Sequence, residues 1–255
     1  MYTKEQEEFS FASHKGTRIK GSFDGGVISS DGGLMLVREA DRKLNLTQRV
    51  AKLIRDPRSP MMIQHKSITM LRQRVYGMCS GNEDLNDFET LRHDPLWQMS
   101  CETRGSMAGK STLCRFENRA DRELAVGITG ILVDEFIRSH VKAPEQIVLD
   151  FDATDNPVHG NQEGRFFHGY YDEYCFLPLY VFCGDQLLVA YLRPASKDAA
   201  LHSAAILKLL VKRIRKDWPN TQIIFRGDSG FCRERILGWC DRNAVDYVVG
   251  LAKNP

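Results

Sequence analysis

The hydrophobic period of this 255-residue chain changes once, near Ala143-Pro144-Glu145-Gln146, and that change constrains the fold more than any single motif does. Before it, apolar residues recur at helical spacing. Leu34, Val37 and Leu44 follow the start signal Ser29-Ser30-Asp31, and Met61, Ile68, Leu71 and Val75 follow Pro60. Leu124, Ile128, Ile131, Leu132 and Phe136 mark a long amphipathic helix, and Leu96–Met99 a short one. The residues before about Ser30 carry Gly21, Gly25 and Gly26 and read as one or two short strands with turns. After the change, short apolar runs of period 2 take over. IVLDFD, YCFLPLYVF and QLLVAYL are three expected strands, and Thr221–Phe225 and Asp246–Leu251 are two more. Helices are expected from about Asp198 to Asp217, where Ala204, Leu207, Leu210, Val211 and Ile214 share one stripe, and from about Phe231 to Arg242. The expected fold is α/β, or α+β overall: a mainly helical region over 1–143, then a mixed sheet over 144–255 in the order β-β-β-α-β-α-β. Its first three strands are antiparallel and its later ones parallel.

Composition narrows the class. With 42% hydrophobic and 27% charged residues the chain can build a core, which excludes disordered and low-complexity classes. Thirty-five basic against 33 acidic side chains leave a net charge of +2, so any nucleic-acid contact must come from local patches and not from a global field. The longest charge-free runs, Leu124–Val133 and Cys175–Gly184, are far shorter than a membrane span, and no membrane partner is expected. The amino terminus, MYTKEQEEFS, lacks the basic and then apolar run of a signal peptide. Seven cysteines, odd in number and without a C-x-x-C pair, read as buried thiols of a reducing cytoplasm.

Chemistry concentrates at two strand ends. Alternation in the first strand sends Ile147, Leu149 and Phe151 to one face and Val148, Asp150 and Asp152 to the other. A carboxylate inside an apolar strand is costly unless paired or bound to a cation. The run continues Ala153-Thr154-Asp155, placing acids at the carboxyl end of a strand, where open α/β sheets hold their ligands. A second acid, Asp228, follows Ile223-Ile224-Phe225-Arg226-Gly227. If these strands are neighbours their carboxylates converge and offer hard oxygen ligands to Mg²⁺ or Mn²⁺, the ions of two-metal phosphodiester chemistry. Asp155, followed by Asn-Pro, reads as a turn residue.

Local basic stripes are candidates for phosphate contacts: Lys208, Lys212, Arg215 and Lys216 on one helix, Arg72 and Arg74 on another, and Arg115 near Ser111-Thr112. Residues 1–146 carry 22 basic against 20 acidic side chains and the remainder 13 of each, which points to the first half for DNA binding. Gly105-Ser-Met-Ala-Gly109-Lys110-Ser111 has one residue too few between its glycines for a phosphate loop and follows no strand. His159 and His168 match no zinc spacing and read as polar turn residues. Arg165, Phe166, Phe167 and Tyr170 could stack on bases, but beside a core strand they read as packing residues.

Five segments together carry a resemblance: FDGGVISSDGGLMLVREAD, STLCRFEN, LDFDATD, HGNQEGRFFHGYY and FRGDSGF. In this order they resemble bacterial insertion-sequence transposases of the transposase DDE domain group 1, over nearly the whole chain from about Phe23. The resemblance implies a ribonuclease H-like catalytic domain over 144–255 and an end-binding region over 1–143. It makes Asp152, in the form D-x-T, the first catalytic acid, with Asp150 on the same face as the alternative, and Asp228 the second. Two Mg²⁺ or Mn²⁺ ions, transposon-end and target DNA, a homodimeric synaptic complex and a bacterial cytoplasm at the nucleoid come with it. The family's third acid is a Glu on a later helix. After Asp152 the chain offers only Glu163, Glu173 and Glu234, none in the expected signature, so an incomplete enzyme is expected. The alternatives are a DNA-binding remnant without catalysis and another ribonuclease H-like nuclease.

Overall fold

Capping residues cut the first half of the chain into short helices. Asp94 accepts hydrogen bonds from the Leu96 and Trp97 amides at 2.8 and 3.1 Å and precedes a proline whose missing N–H costs nothing at that position. Asn45 takes the left-handed conformation, at φ 55°, where one helix ends and the next begins. In a computed structural model, the residues described are 29 and 31–251, with the backbone alone of Glu8–His14 and Thr17–Ser22. These two segments form the antiparallel pair β1 and β2, where short strands are expected. Gly25 and Gly26 lie outside the described residues, as does most of the first family-like segment before Asp31. The helices that follow are α1 (Leu34–Leu44), α2 (Leu46–Ala51), α3 (Ser67–Cys79), α4 (Phe88–Leu91), α5 (Pro95–Ser100), α6 (Lys110–Glu117) and α7 (Arg122–Ser139). Met61 does not join α3, because Pro60–Met62 makes a separate single turn and Lys66 is extended.

The chain divides into two compact units, Met1–Ala120 and Asp121–Pro255. The division falls before α7, whereas the change of period falls after it: α7 packs on the sheet unit through Val133 and Phe136. In the first unit Leu34, Met70, Tyr76, Phe88, Trp97 and Leu113 make the core, with Phe88 and Trp97 edge to face at 5.7 Å. A buried polar network crosses it. Asp41 accepts from the Thr47 amide at 2.8 Å, from the Thr47 hydroxyl at 2.5 Å and from the Tyr76 hydroxyl at 2.8 Å. Arg72 donates to Thr47 Oγ1 at 3.2 Å and to Glu102 at 2.5 Å. Burial and the Asp41 carboxylate together push the Tyr76 phenol far up.

The second unit is a mixed sheet with helices against it. Its strands are β3 (Gln146–Ala153), β7 (Leu179–Cys183), β8 (Gln186–Tyr191), β9 (Gln222–Gly227) and β10 (Asp246–Val249), in the spatial order β10-β9-β3-β7-β8. β3 pairs antiparallel with β7, and β7 with β8, while β3, β9 and β10 run parallel. Two helices, α8 (Ser203–Asp217) and α9 (Glu234–Arg242), make the crossovers. Leu149, Phe151, Leu207, Ile214, Ile223 and Phe225 are among the residues of the core between sheet and helices. Burial along β3 alternates, with Ile147, Leu149, Phe151 and Ala153 inside.

One expectation is corrected here. The apolar run YCFLPLYVF is not one strand. Pro178 cannot donate to a ladder, and the Leu177 amide leaves the sheet to bond Arg193 O at 2.8 Å. The run splits into β7 and the strand β6 (Glu173–Phe176), which pairs with β4 (Asn156–Pro157) and β5 (Phe166–His168) in a separate three-stranded sheet.

Candidate active site

The parallel register of β3 and β9 brings the predicted acids together. Asp150 lies opposite Arg226 and Phe151 opposite Gly227, the last pair of the ladder, and Asp152 and Asp228 are the residues that follow it on the two chains. Both stand at the carboxyl ends of adjacent strands and both are exposed. Asp152 Oδ2 accepts from the Thr154 hydroxyl at 2.6 Å. Asp228 Oδ1 accepts from the Gly230 amide at 2.7 Å, so this acid also caps the single turn Ser229–Phe231. Each carboxylate therefore meets a neutral donor.

Asp150 shares the face of Asp152 but has a different partner. Arg226, opposite it on β9, grips both its oxygens, Nε to Oδ1 at 2.9 Å and Nη2 to Oδ2 at 2.6 Å. These bonds hold the Asp150 carboxyl below its ordinary range, with desolvation opposing. A bidentate guanidinium leaves that carboxylate little capacity to bind a cation.

Glycine packing fixes the turn that carries Asp228. A Cβ at Gly227 would stand 3.0 Å from the Phe231 ring, and one at Gly250, beyond β10, would stand 2.9 Å from the Ser229 nitrogen. The Gly250 amide bonds Gly227 O at 3.2 Å. The chain after the last strand thus closes against the back of the turn.

Sequence reasoning missed the residues that surround the pair. Tyr171, in the turn between β5 and β6, donates to Ala153 O at 3.5 Å. Its phenol is pushed up first by burial, then by the negative charges of Asp155, Asp152 and Asp228 with Tyr170 contributing, so one hydroxyl senses three carboxylates. Desolvation first, and then the neighbouring Asp155 carboxylate, push the Glu173 carboxyl up. Only the Thr of the D-x-T run signals any of this at the sequence level. Glu163 and Glu234 are both exposed, the latter in the first turn of α9. Among the described residues, no three or more His, Cys, Asp or Glu gather as a ready metal site.

The basic candidates part company. Arg72 is buried in the polar network of the first unit, and Arg74 pairs with Glu117 at 2.5 Å and donates to Glu83 O at 2.9 Å. Arg215 spends two donors at 2.7 Å on the Asn243 and Ala244 carbonyls, tying α8 to the turn before β10. These three arginines hold the fold. Lys212 and Lys216 are exposed on α8, Lys208 Nζ lies 5.8 Å from the Trp239 ring centre, and Arg115 is exposed beside Thr112.

The chain belongs to the transposase DDE domain group 1 family, whose model matches residues 11–255. No curated protein matches it. Among solved structures, the piggyBac transposase in a synaptic complex with hairpin DNA aligns at 11% identity with a TM-score of 0.37. The alignment covers 87% of this chain and 51% of that one, so the chain spans about half of that protein's length. No helix among the described residues is long and apolar enough to cross a membrane.

Proposed function

We propose that the chain is a DDE-type transposase acting in DNA transposition, with 121–255 as a ribonuclease H-like catalytic domain and Asp152 and Asp228 as two acids of its metal site. The observation that supports this reading is the parallel register of β3 and β9, whose last pair, Phe151 opposite Gly227, is followed on the two chains by Asp152 and Asp228. Their donor set suits Mg²⁺ or Mn²⁺: two exposed carboxylates, each hydrogen-bonded to a neutral group and neither to a guanidinium. Bound there, a divalent ion would supply Lewis-acid activation of water or of a 3′-hydroxyl for phosphodiester cleavage and strand transfer. Thr154 and the Gly230 amide would orient the two carboxylates. Asp150 is assigned to Arg226 and not to the metal.

The DNA would be the element's own ends and its target, brought together by two copies of the protein. Lys208, Lys212, Lys216 and Arg115 are the proposed phosphate contacts. Arg72, Arg74 and Arg215 are released from that role by their internal partners. Titration of the purified protein with Mn²⁺, followed by electron paramagnetic resonance, tests the site: Asp152→Asn and Asp228→Asn should weaken binding and Asp150→Asn should not. In a protein that also carries the family's third acid, cleavage of end-containing DNA in Mg²⁺ should follow the same order. Cleavage unaffected by both Asn variants would overturn the assignment, and end binding with no metal-dependent cleavage would favour a DNA-binding protein without catalysis.

A further inference from the structure

The small sheet between β3 and β7 has two unlike faces. Phe166 lies opposite Cys175, which is fully buried, and one residue along, Phe167 lies opposite Tyr174 on the other face. Phe167 is 52% exposed and Tyr174 50% exposed, edge to face at 5.6 Å. The Arg165 guanidinium lies 4.5 Å from the Tyr174 ring centre, steadied by Asn161 Oδ1. Tyr170, at the tip of the β5–β6 turn, is 84% exposed with its ring against Tyr171 at 5.0 Å. The expectation that these rings are packing residues is therefore corrected. Strands of two to four residues cannot cover them.

The chemistry of the patch selects its occupant. Every large hydrophobic side chain exposed between Asn156 and Phe176 is aromatic, and none is aliphatic. A surface for generic apolar docking mixes Leu, Ile and Met with its rings; one made of rings and a guanidinium offers π faces for stacking and N–H donors for phosphate. Position adds the rest. β4 starts three residues after Ala153, and the β5–β6 turn returns Tyr171 to Ala153 O, the residue next to Asp152. The rings thus ride on an excursion that leaves from, and comes back to, the carboxylate pair.

We propose that Phe167 and Tyr174, with Arg165 beside them and Tyr170 at the rim, stack unpaired nucleobases of a DNA strand whose backbone passes the carboxylates. The proposal rests on the DNA-processing reading above and gives it a substrate feature, a DNA end with splayed or single-stranded bases. Duplex DNA, whose bases are already stacked on one another, has no free faces for the platform.

The test uses the whole chain in EDTA, so that no cleavage intervenes, with a labelled single-stranded dodecamer carrying one 2-aminopurine and the matching duplex as probes. The double variant Phe167→Leu/Tyr174→Leu keeps apolar bulk and removes the π faces. It should lose single-strand affinity by about tenfold or more and keep duplex affinity within about twofold. Quenching of 2-aminopurine by the parent protein should vanish in the double variant, and Phe167→Trp should retain it. Should the double variant fail to fold, the single variant Tyr174→Leu decides by the same quenching readout. Equal single-strand affinity of the Leu variants and the parent, no quenching by the parent, or loss of self-association in place of DNA binding would each overturn the platform. The Asp152→Asn protein should still bind the single strand. A parent protein that neither quenches nor binds the single strand, in a chain whose metal-dependent cleavage depends on Asp152 and Asp228, defeats this proposal alone. Asn variants of both acids that cleave like the parent while stacking persists defeat the catalytic assignment alone.

Discussion

Asp41 and Asp152 show what a carboxylate is for. Asp41, buried in the helical unit, receives three hydrogen bonds from Thr47 and Tyr76 and has Arg72 3.7 Å away. Asp152, exposed at the end of β3, receives one from the hydroxyl of Thr154. A buried acid with every oxygen occupied is bound to its fold, because removing one partner strands the others without water. An exposed acid beside a second acid, with no cation of its own among the described residues, keeps its charge for something else. Asp150 sits between these cases, on the face of Asp152 yet committed to Arg226.

The contrast can be broken by experiment. The largest expected effect is on chemistry: in a chain completed by the third acid, Asp152→Asn and Asp228→Asn should each remove several kcal/mol of transition-state stabilisation, on the order of a thousandfold in DNA cleavage. Unfolding should change by only about 0.5 kcal/mol, because the positions are exposed and Asn preserves the cap at 228. Cleavage at the parent rate by either variant would end the distinction. Next in size is Asp41→Ala, which should destabilise the protein by about 3 kcal/mol in denaturant unfolding, since Thr47, Tyr76 and Arg72 lose a buried partner. A loss below about 1 kcal/mol would mean that the network relaxes or fills with water.

A smaller effect concerns pH. Arg58 binds Asp56 through two hydrogen bonds at 2.8 and 2.6 Å and, with Ser67 at 2.9 Å, holds its carboxyl well below the usual range. A depressed carboxyl stabilises the fold above its unfolded pKa of about 4, and this contribution disappears as pH falls through the folded value. Unfolding measured from pH 6 down to pH 2 should show a loss of about 1 kcal/mol that Asp56→Asn removes. The same slope in the variant would assign the acid sensitivity elsewhere. Smallest of all, Asp150→Asn should change stability by less than about 1 kcal/mol, because the Arg226 pair is half-exposed. It should also leave Mn²⁺ affinity unchanged; a loss equal to that of Asp152→Asn would move Asp150 into the metal site.

Much of the sheet unit is legible in the sequence because period and punctuation agree there. IVLDFD alternates, Gln222–Gly227 ends at a glycine, and the stripe of α8 from Ala204 to Ile214 is unbroken. The small sheet is not legible, since strands of two to four residues show no period and Pro178 lies inside an apolar run that otherwise reads as continuous. The acids follow the same rule. That Asp152 and Asp228 stand beside each other follows once the strands are neighbours, but which acid Arg226 grips is a matter of register, invisible without the pairing. Arg72 and Lys212 look alike as letters on helices. Only the partner reached from 30 residues away, Glu102, separates a structural cation from one left to solvent.

The turn holding Asp228 has a consequence for how this protein can vary. Its backbone is hemmed in at Gly227 by a ring and at Gly250 by a peptide nitrogen, so one added methyl group at either position must displace the other side. A saturation mutagenesis map scored by transposition should therefore show two narrow bands of intolerance at residues with no side chain, bracketing the acid. A lineage is freer to change the charges around Asp228 than to thicken the chain behind it.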